Sequence, residues 1–222
     1  MASDLAGACL HQWQRQLIAE LERSPLVDAC YLTGGTALSG FYLAHRDSED
    51  LDFFSDAEIP LAAIETFLDG VAGIRSRRYQ KLYDRKILLL ELGGQAAKVE
   101  FTRFPFPASG TRRQLPSGLH LDSLLDIYLN KLHAMTDRDE PKDDVDLYFI
   151  LEQGGVPPIA RGAEMAEAKF RTRGLRYALQ PRLLRVSREL PATRPQVTAD
   201  HVTARLRAAA RELAIAGLGP EP

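Results

Sequence analysis

Apolar residues recur at helical spacing within residues 5–23, where Leu10, Trp13, Leu17 and Leu21 share one face and Ser24-Pro25 ends the run. The period then shortens. Ala29-Cys30-Tyr31-Leu32 reads as a short strand, followed by Thr33-Gly34-Gly35-Thr36, a turn that needs small residues, and by a helix over 37–44. Glu49-Asp50-Leu51-Asp52-Phe53-Phe54 alternates with the two-residue period of a strand. A helix is predicted over 59–70, and strands over 79–92 and 96–101 form a hairpin across Gly93-Gly94. Residues 102–117, with three prolines, make an irregular connection. From Leu121 every segment reads helical, with breaks at Pro141, Gly154 to Pro158, Pro181 and Pro191. Strands mixed with helices, then helices alone, predict an α+β fold: a mixed sheet with flanking helices over 1–118 and a helical domain over 119–222.

Composition narrows the class. A chain of 222 residues that is 45% hydrophobic and 26% charged has enough length for one large or two small packed domains, which argues against disorder and collagen-like repeats. Cys9 and Cys30 have no CxxC spacing and would staple such a chain weakly, so a reducing, cytoplasmic setting is expected. No stretch approaches the roughly 18 apolar residues of a membrane span, and MASDLAGACLHQWQRQ lacks the pattern of a secretory signal. The net charge of -2 hides an asymmetry: residues 1–160 carry 16 basic and 24 acidic side chains, residues 161–222 carry 12 and 6. The two halves are suited to different partners.

Asp50 and Asp52 are two apart on a predicted strand, so both carboxylates leave one face while Leu51 and Phe53 enter the core. Like charges that close repel unless a cation sits between them, and an oxygen-only donor set favours Mg²⁺ over zinc. A solvated strand end is the plain alternative. Gly34-Gly35, upstream between strand and helix, could let the backbone approach a phosphate, although a GG turn by itself is weak and matches neither GxxxxGK nor GxGxxG. Arg46 and Ser48 fall in step with Asp50 and Asp52 and either line the same side or face solvent. Glu100, with Val99 and Phe101 turned inward, is the preferred third carboxylate of a two-metal site, and Glu91 is its rival.

Lys131 lies in a helical stripe with Leu124, Ile127, Tyr128 and Met135, so it either snorkels to water or meets a buried anion such as a triphosphate. Asp143 and Asp146, at i,i+3 early in the next helix, either answer the helix dipole or orient Lys131 or the substrate. The five histidines show no metal-ligand spacing. Nine basic residues against three acids between 161 and 194 could hold an RNA backbone or simply form a solvated face.

Taken together, Gly34-Gly35-Thr36-Ala37-Leu38, Arg46-x-Ser48-x-Asp50-Leu51-Asp52-Phe53-Phe54, Lys131 and Arg138-x-x-x-Lys142-Asp143-x-x-Asp146-Leu147 resemble the AbiEii/AbiGii-type nucleotidyltransferases. These are toxin-like members of the DNA polymerase β-type superfamily, and the resemblance covers roughly residues 30 to 151. It implies a nucleotidyltransferase-type fold, Mg²⁺ (or Mn²⁺) as cofactor and a nucleoside triphosphate (NTP) as substrate. It also implies membership of a type IV toxin–antitoxin pair, hence a cognate antitoxin, and tRNA or another RNA as acceptor. On this pattern Gly34, Gly35 and Thr36, with Arg46 and Ser48, hold the nucleotide; Asp50 and Asp52 bind metal; Lys131, Asp143 and Asp146 bring the helical domain into the site. Glu100 is the candidate base and third ligand. A non-catalytic RNA-binding module on the same fold, and a small-molecule modifier of the aminoglycoside-nucleotidyltransferase kind, are the competing readings.

Overall fold

The computed structural model describes Gly7 and residues 9–217. The chain divides into two compact units, the first comprising Met1–Pro107 and Thr111–Ser123, the second Ala108–Gly110 and Leu124–Pro222.

The first unit is built on a seven-stranded mixed sheet in the order β3-β4-β5-β2-β1-β7-β6. In chain order it comprises helix α1 (Gln12–Leu21), strand β1 (Tyr31–Thr33), helix α2 (Gly34–Leu38) continued by a π-helical turn to Leu43, β2 (Asp50–Ser55), α3 (Leu61–Asp69), β3 (Ile74–Leu82), β4 (Arg85–Leu92), β5 (Gln95–Arg103), β6 (Arg113–Gln114) and β7 (His120–Leu121). β2 runs antiparallel to β1 and parallel to β5. Alternation sends Leu51 and Phe53 of β2, with Val99 and Phe101 of β5, into the core. There Phe53 stacks on Phe101 and Phe67 of α3 meets Phe101 edge-on. The opposite face carries Asp50, Asp52, Lys98 and Glu100.

The second unit is helical: α4 (Leu124–Asp137), α5 (Pro141–Gln153), α6 (Ile159–Phe170), α7 (Leu175–Leu183) and α8 (Ala199–Gly217). Its core is apolar but crossed by ion pairs. Lys169 meets Asp126 at 2.7 Å and Arg182 meets Asp144 at 2.8 Å, with all four side chains nearly water-free. Asp126 also accepts the backbone N–H groups of Ser109 and Gly110, which ties that segment into this unit. Among the described residues no helix is long and apolar enough to cross a membrane.

The predicted elements need four corrections. The strand expected over 79–92 is two strands, β3 and β4, reversing at Tyr83-Asp84, with Tyr83 in the left-handed region at φ 52°. That turn has no glycine, proline or asparagine to announce it, and the meander it creates starts at Ile74. The helix expected to follow Gly34-Gly35 begins at Gly34, so the glycines form its first turn. The connection over 102–117 ends in β6, and β7 follows it, so the all-helical stretch starts at Leu124. The helix expected over 5–23 is α1, Gln12–Leu21; Leu5, Ala6 and Ala8 lie outside the described residues.

Candidate active site

Asp50 and Asp52 open β2 and both stand half-buried on the polar face of the sheet. Two buried side chains from other elements fix this stretch of backbone. Gln14 of α1 donates to the carbonyls of Ser48 at 2.7 Å and Asp50 at 3.3 Å, and the hydroxyl of Thr36 bonds the Asp50 carbonyl. Thr36 is therefore brought to the site as a brace of β2, because its side chain has no exposure with which to touch a nucleotide. Gln14 has no counterpart among the predicted site residues. Its signal is a polar side chain inside the stripe of Leu10, Trp13, Leu17 and Leu21, the same anomaly that singled out Lys131.

The glycines are where the segments converge. A Cβ on Gly34, which sits at φ 70°, would lie 2.7 Å from Oδ2 of Asp52. A Cβ on Gly35 would lie 2.8 Å from a guanidinium nitrogen of Arg46 and 2.9 Å from Oγ of Ser48. A Cβ at either position would force those side chains to shift, and at Gly34 it would also sit in the left-handed region. Arg46 and Ser48 are both buried, so Arg46 is not a surface residue, and it donates to the Asp47 carbonyl at 2.8 Å. Behind them Thr33 donates to the buried carboxylate of Asp122 at 2.7 Å.

The neighbouring strand carries Glu100, the expected third acid. In the parallel pairing of β2 with β5, Asp50 is opposite Lys98 and Asp52 is opposite Glu100. Lys98 Nζ stands 3.3 Å from Asp50, and Glu100 receives Arg85 through two bonds of 2.6 and 2.7 Å and Thr102 at 2.7 Å. Burial pushes the Glu100 carboxyl up, but the Arg85 and Thr102 bonds, with the charges of Arg85 and Lys98, hold it below the ordinary carboxylate range. Glu91 pairs with Ala96 further along the meander and faces Arg75 at 3.6 Å, away from the Asp52 row.

Among the described residues no group of three His, Cys, Asp or Glu side chains is gathered as a metal cage. The donor set offered to a cation is thus the Asp50/Asp52 pair, two half-exposed carboxylates beside a glycine cleared of side chain, which suits a hard ion that keeps much of its water. Glu100 could join them only by yielding an Arg85 bond, and Arg85, 43% exposed, has room to release it.

In the second unit Lys131, Asp143 and Asp146 come together. Lys131 Nζ lies 2.6 Å from both carboxylates, which are wholly buried, and Arg138 adds two bonds to Asp143 at 2.7 and 3.0 Å. Lys131 therefore does not snorkel. Burial raises the Asp143 carboxyl, and the Lys131 and Arg138 charges and bonds outweigh it, leaving it below the ordinary range. Asp144, the partner of Arg182, goes the other way: burial pushes it up and Arg182 offsets this only in part. The basic run after residue 160 is partly neutralised inside this unit, since Arg161, Lys169, Arg182 and Arg188 all sit in ion pairs.

The family model of the nucleotidyl transferase AbiEii toxin of type IV toxin–antitoxin systems matches residues 16–214, and the chain belongs to that family. It is a nucleotidyltransferase by family, and its fold is shared with solved structures. The crystal structure of a “putative nucleotidyltransferase” from H. pylori is similar at TM-score 0.57 and 19% identity over 93% of this chain and 95% of that one. JHP933 from Helicobacter pylori is similar at TM-score 0.56 and 18% identity, over 93% and 94% of the two chains. An uncharacterized protein of Aquifex aeolicus (strain VF5), aq_aa25, is 29% identical over 149 residues, 66% of this chain and 69% of its own length.

Proposed function

We propose that the protein transfers a nucleoside monophosphate from an NTP to the hydroxyl of an RNA acceptor, tRNA being the leading case, as the toxin-like component of a type IV toxin–antitoxin pair. The observation that carries this reading is the contact of Gly34 with Asp52. A glycine at the start of a helix, with no space for a Cβ against the second acid of Asp50-x-Asp52, brings the backbone of that turn beside the carboxylate. That pairs an anion-binding element with a cation-binding one, as a metal–triphosphate complex requires.

The acceptor oxygen bonds to the α-phosphorus, the bond from that phosphorus to the bridging oxygen breaks, and pyrophosphate departs. Asp50 and Asp52 hold Mg²⁺ or Mn²⁺, which supplies charge neutralisation at the reacting phosphate and activation of the attacking hydroxyl. Gly34 and Gly35 cradle the triphosphate, with Arg46 and Ser48 packed beneath them to set the cradle's shape. Glu100, kept ionised by Arg85 and Thr102, takes the hydroxyl proton or serves as the third carboxylate. Lys131 is held inside the second unit by Asp143 and Asp146, which balance its charge. Such chemistry asks for positioning and charge, which this short set provides.

The experiment is incubation of the full chain with α-labelled NTPs, Mg²⁺ or Mn²⁺ and total RNA. Label is expected in RNA from the unaltered protein and not from Asp52→Asn. Transfer by Asp52→Asn at the unaltered rate, or transfer to no RNA by either protein, would defeat the reading. A cognate antitoxin is expected to suppress the transfer when the neighbouring gene product is added.

A further inference from the structure

β3 is the edge strand of the sheet and the least shielded element of the first unit: every residue from Arg75 to Leu82 is exposed. It carries four cations and no acid. The segment 74–103, which holds the whole β3–β4–β5 meander, has eight basic and three acidic side chains inside a front half that is otherwise strongly acidic. An edge strand uses charge to discourage pairing with another chain, and that accounts for cations along the edge. It does not account for the cations' continuity with the carboxylates.

The strand register provides that continuity. Arg78 is opposite Leu89, Leu89 is opposite Lys98, and Lys98 is opposite Asp50, so all four side chains share one face of the sheet. The next row runs Gln80, Ile87, Glu100 and Asp52. Three strand spacings separate Arg78 from Asp50, roughly 14 Å. Arg75 belongs to the same face, since it reaches Glu91 at 3.6 Å with 72% of its side chain exposed, a geometry in which an ion pair holds little. Beyond this face, at the turn of the hairpin, Tyr83 is 87% exposed and Leu82 46%. Exposed cations on the face of the carboxylates, with an exposed aromatic past Arg78 at the tip of the same hairpin, combine the two elements that grip a single-stranded nucleic acid, charge for phosphates and a ring for a base.

The geometry points to this open face of β3 and β4 as the seat of the acceptor RNA: Arg75 and Arg78 hold its backbone phosphates, Tyr83 stacks on a base, and the strand end reaches Asp50 and Asp52. The assignment rests on the nucleotidyl-transfer reading above. It also moves the RNA contact away from the basic run after residue 160, where four cations are already held in ion pairs.

The test is fluorescence anisotropy with a labelled single-stranded oligoribonucleotide across a salt series, using the full chain, Arg75→Gln/Arg78→Gln, Tyr83→Ala and Arg171→Gln/Arg173→Gln. The unaltered protein is expected to bind RNA with affinity that falls steeply with salt. Losing two phosphate contacts lowers the slope of log affinity against log salt by about 1.4. Tyr83→Ala weakens binding about fivefold or more, and the Arg171/Arg173 variant keeps the unaltered slope. An unchanged slope in the β3 variant, a reduced slope in the Arg171/Arg173 variant, or no RNA binding by the unaltered protein overturns the assignment. ATP binding to the unaltered protein, read by calorimetry with Mg²⁺, separates the two claims. Absent ATP binding alongside β3-dependent RNA binding condemns the enzymatic reading alone, and the reverse pattern condemns the surface alone.

Discussion

Asp50 and Asp52 stand half-buried on an open sheet face with a glycine pressed against one of them, whereas Asp143 and Asp146 are wholly buried and share one lysine. Both are close-spaced aspartate pairs, and the sequence marks both as candidate site residues, the first for metal and the second for orienting Lys131 or the substrate. Their surroundings differ in a way that matters. Each carboxylate of the second pair has a cation of its own unit within 2.6 Å, so its charge is already satisfied by the fold. In the first pair Lys98 approaches Asp50 at 3.3 Å, and Lys98 and Asp50 are both about one-third exposed, so that ion pair is screened by solvent. The lesson is that partner and exposure, rather than acid count, separate a carboxylate held for a ligand from one held for packing.

Substitutions can pull the two pairs apart. The largest effect is expected from Asp52→Asn, which should lower label transfer at least about a hundredfold. Next comes Asp146→Ala. Removing one partner from a buried ion pair costs about 3–5 kcal/mol, read as a shift of the urea midpoint by circular dichroism of the helices. Should Asp146→Ala instead leave stability untouched and raise only the apparent KM for NTP, the second pair would be ligand-facing and the contrast would fall.

Gly34→Ala follows, at about 1–2 kcal/mol for forcing a side chain into the left-handed region. Its Cβ would also displace Asp52, so activity should fall more than stability; Trp13, the single tryptophan, reports unfolding of the first unit. The smallest effect concerns acid. Glu100 is depressed in the folded protein, so it contributes stability above the unfolded glutamate value of about 4.3 and loses that contribution as pH falls through its folded pKa. Glu100→Gln should therefore flatten the loss of Trp13-reported stability on acidification below about pH 4, and an unaltered slope would show that the Arg85 bond does not tune Glu100.

Much of this was readable from period alone. The β2 alternation and the helical half follow from residues whose size and polarity leave few options, whereas the contact of Gly34 with Asp52 joins separate segments and shows only in the fold. Glu100 beside Asp52 is legible because Val99 and Phe101 had to face inward. The Tyr83-Asp84 reversal is not, since a left-handed tyrosine at a hairpin tip is imposed by the pairing of β3 with β4 and Asp84 alone is a weak turn signal. Gln14 and Asp122 stayed hidden for a different reason: their partners, Ser48 and Thr33, are 34 and 89 residues away. Lys131 was legible as an anomaly and Asp143 or Asp146 as its orienting partner, but that both close on one ammonium shows only in the folded unit.

The account turns on Asp50 and Asp52 as the ligands of a divalent ion, and a Mn²⁺ titration followed by electron paramagnetic resonance tests this without requiring turnover. With ATP present, the unaltered protein should quench the free-ion signal in proportion to its concentration, and Asp52→Asn should not quench it beyond ATP alone. Equal quenching by both proteins would place the ion elsewhere and contradict the account.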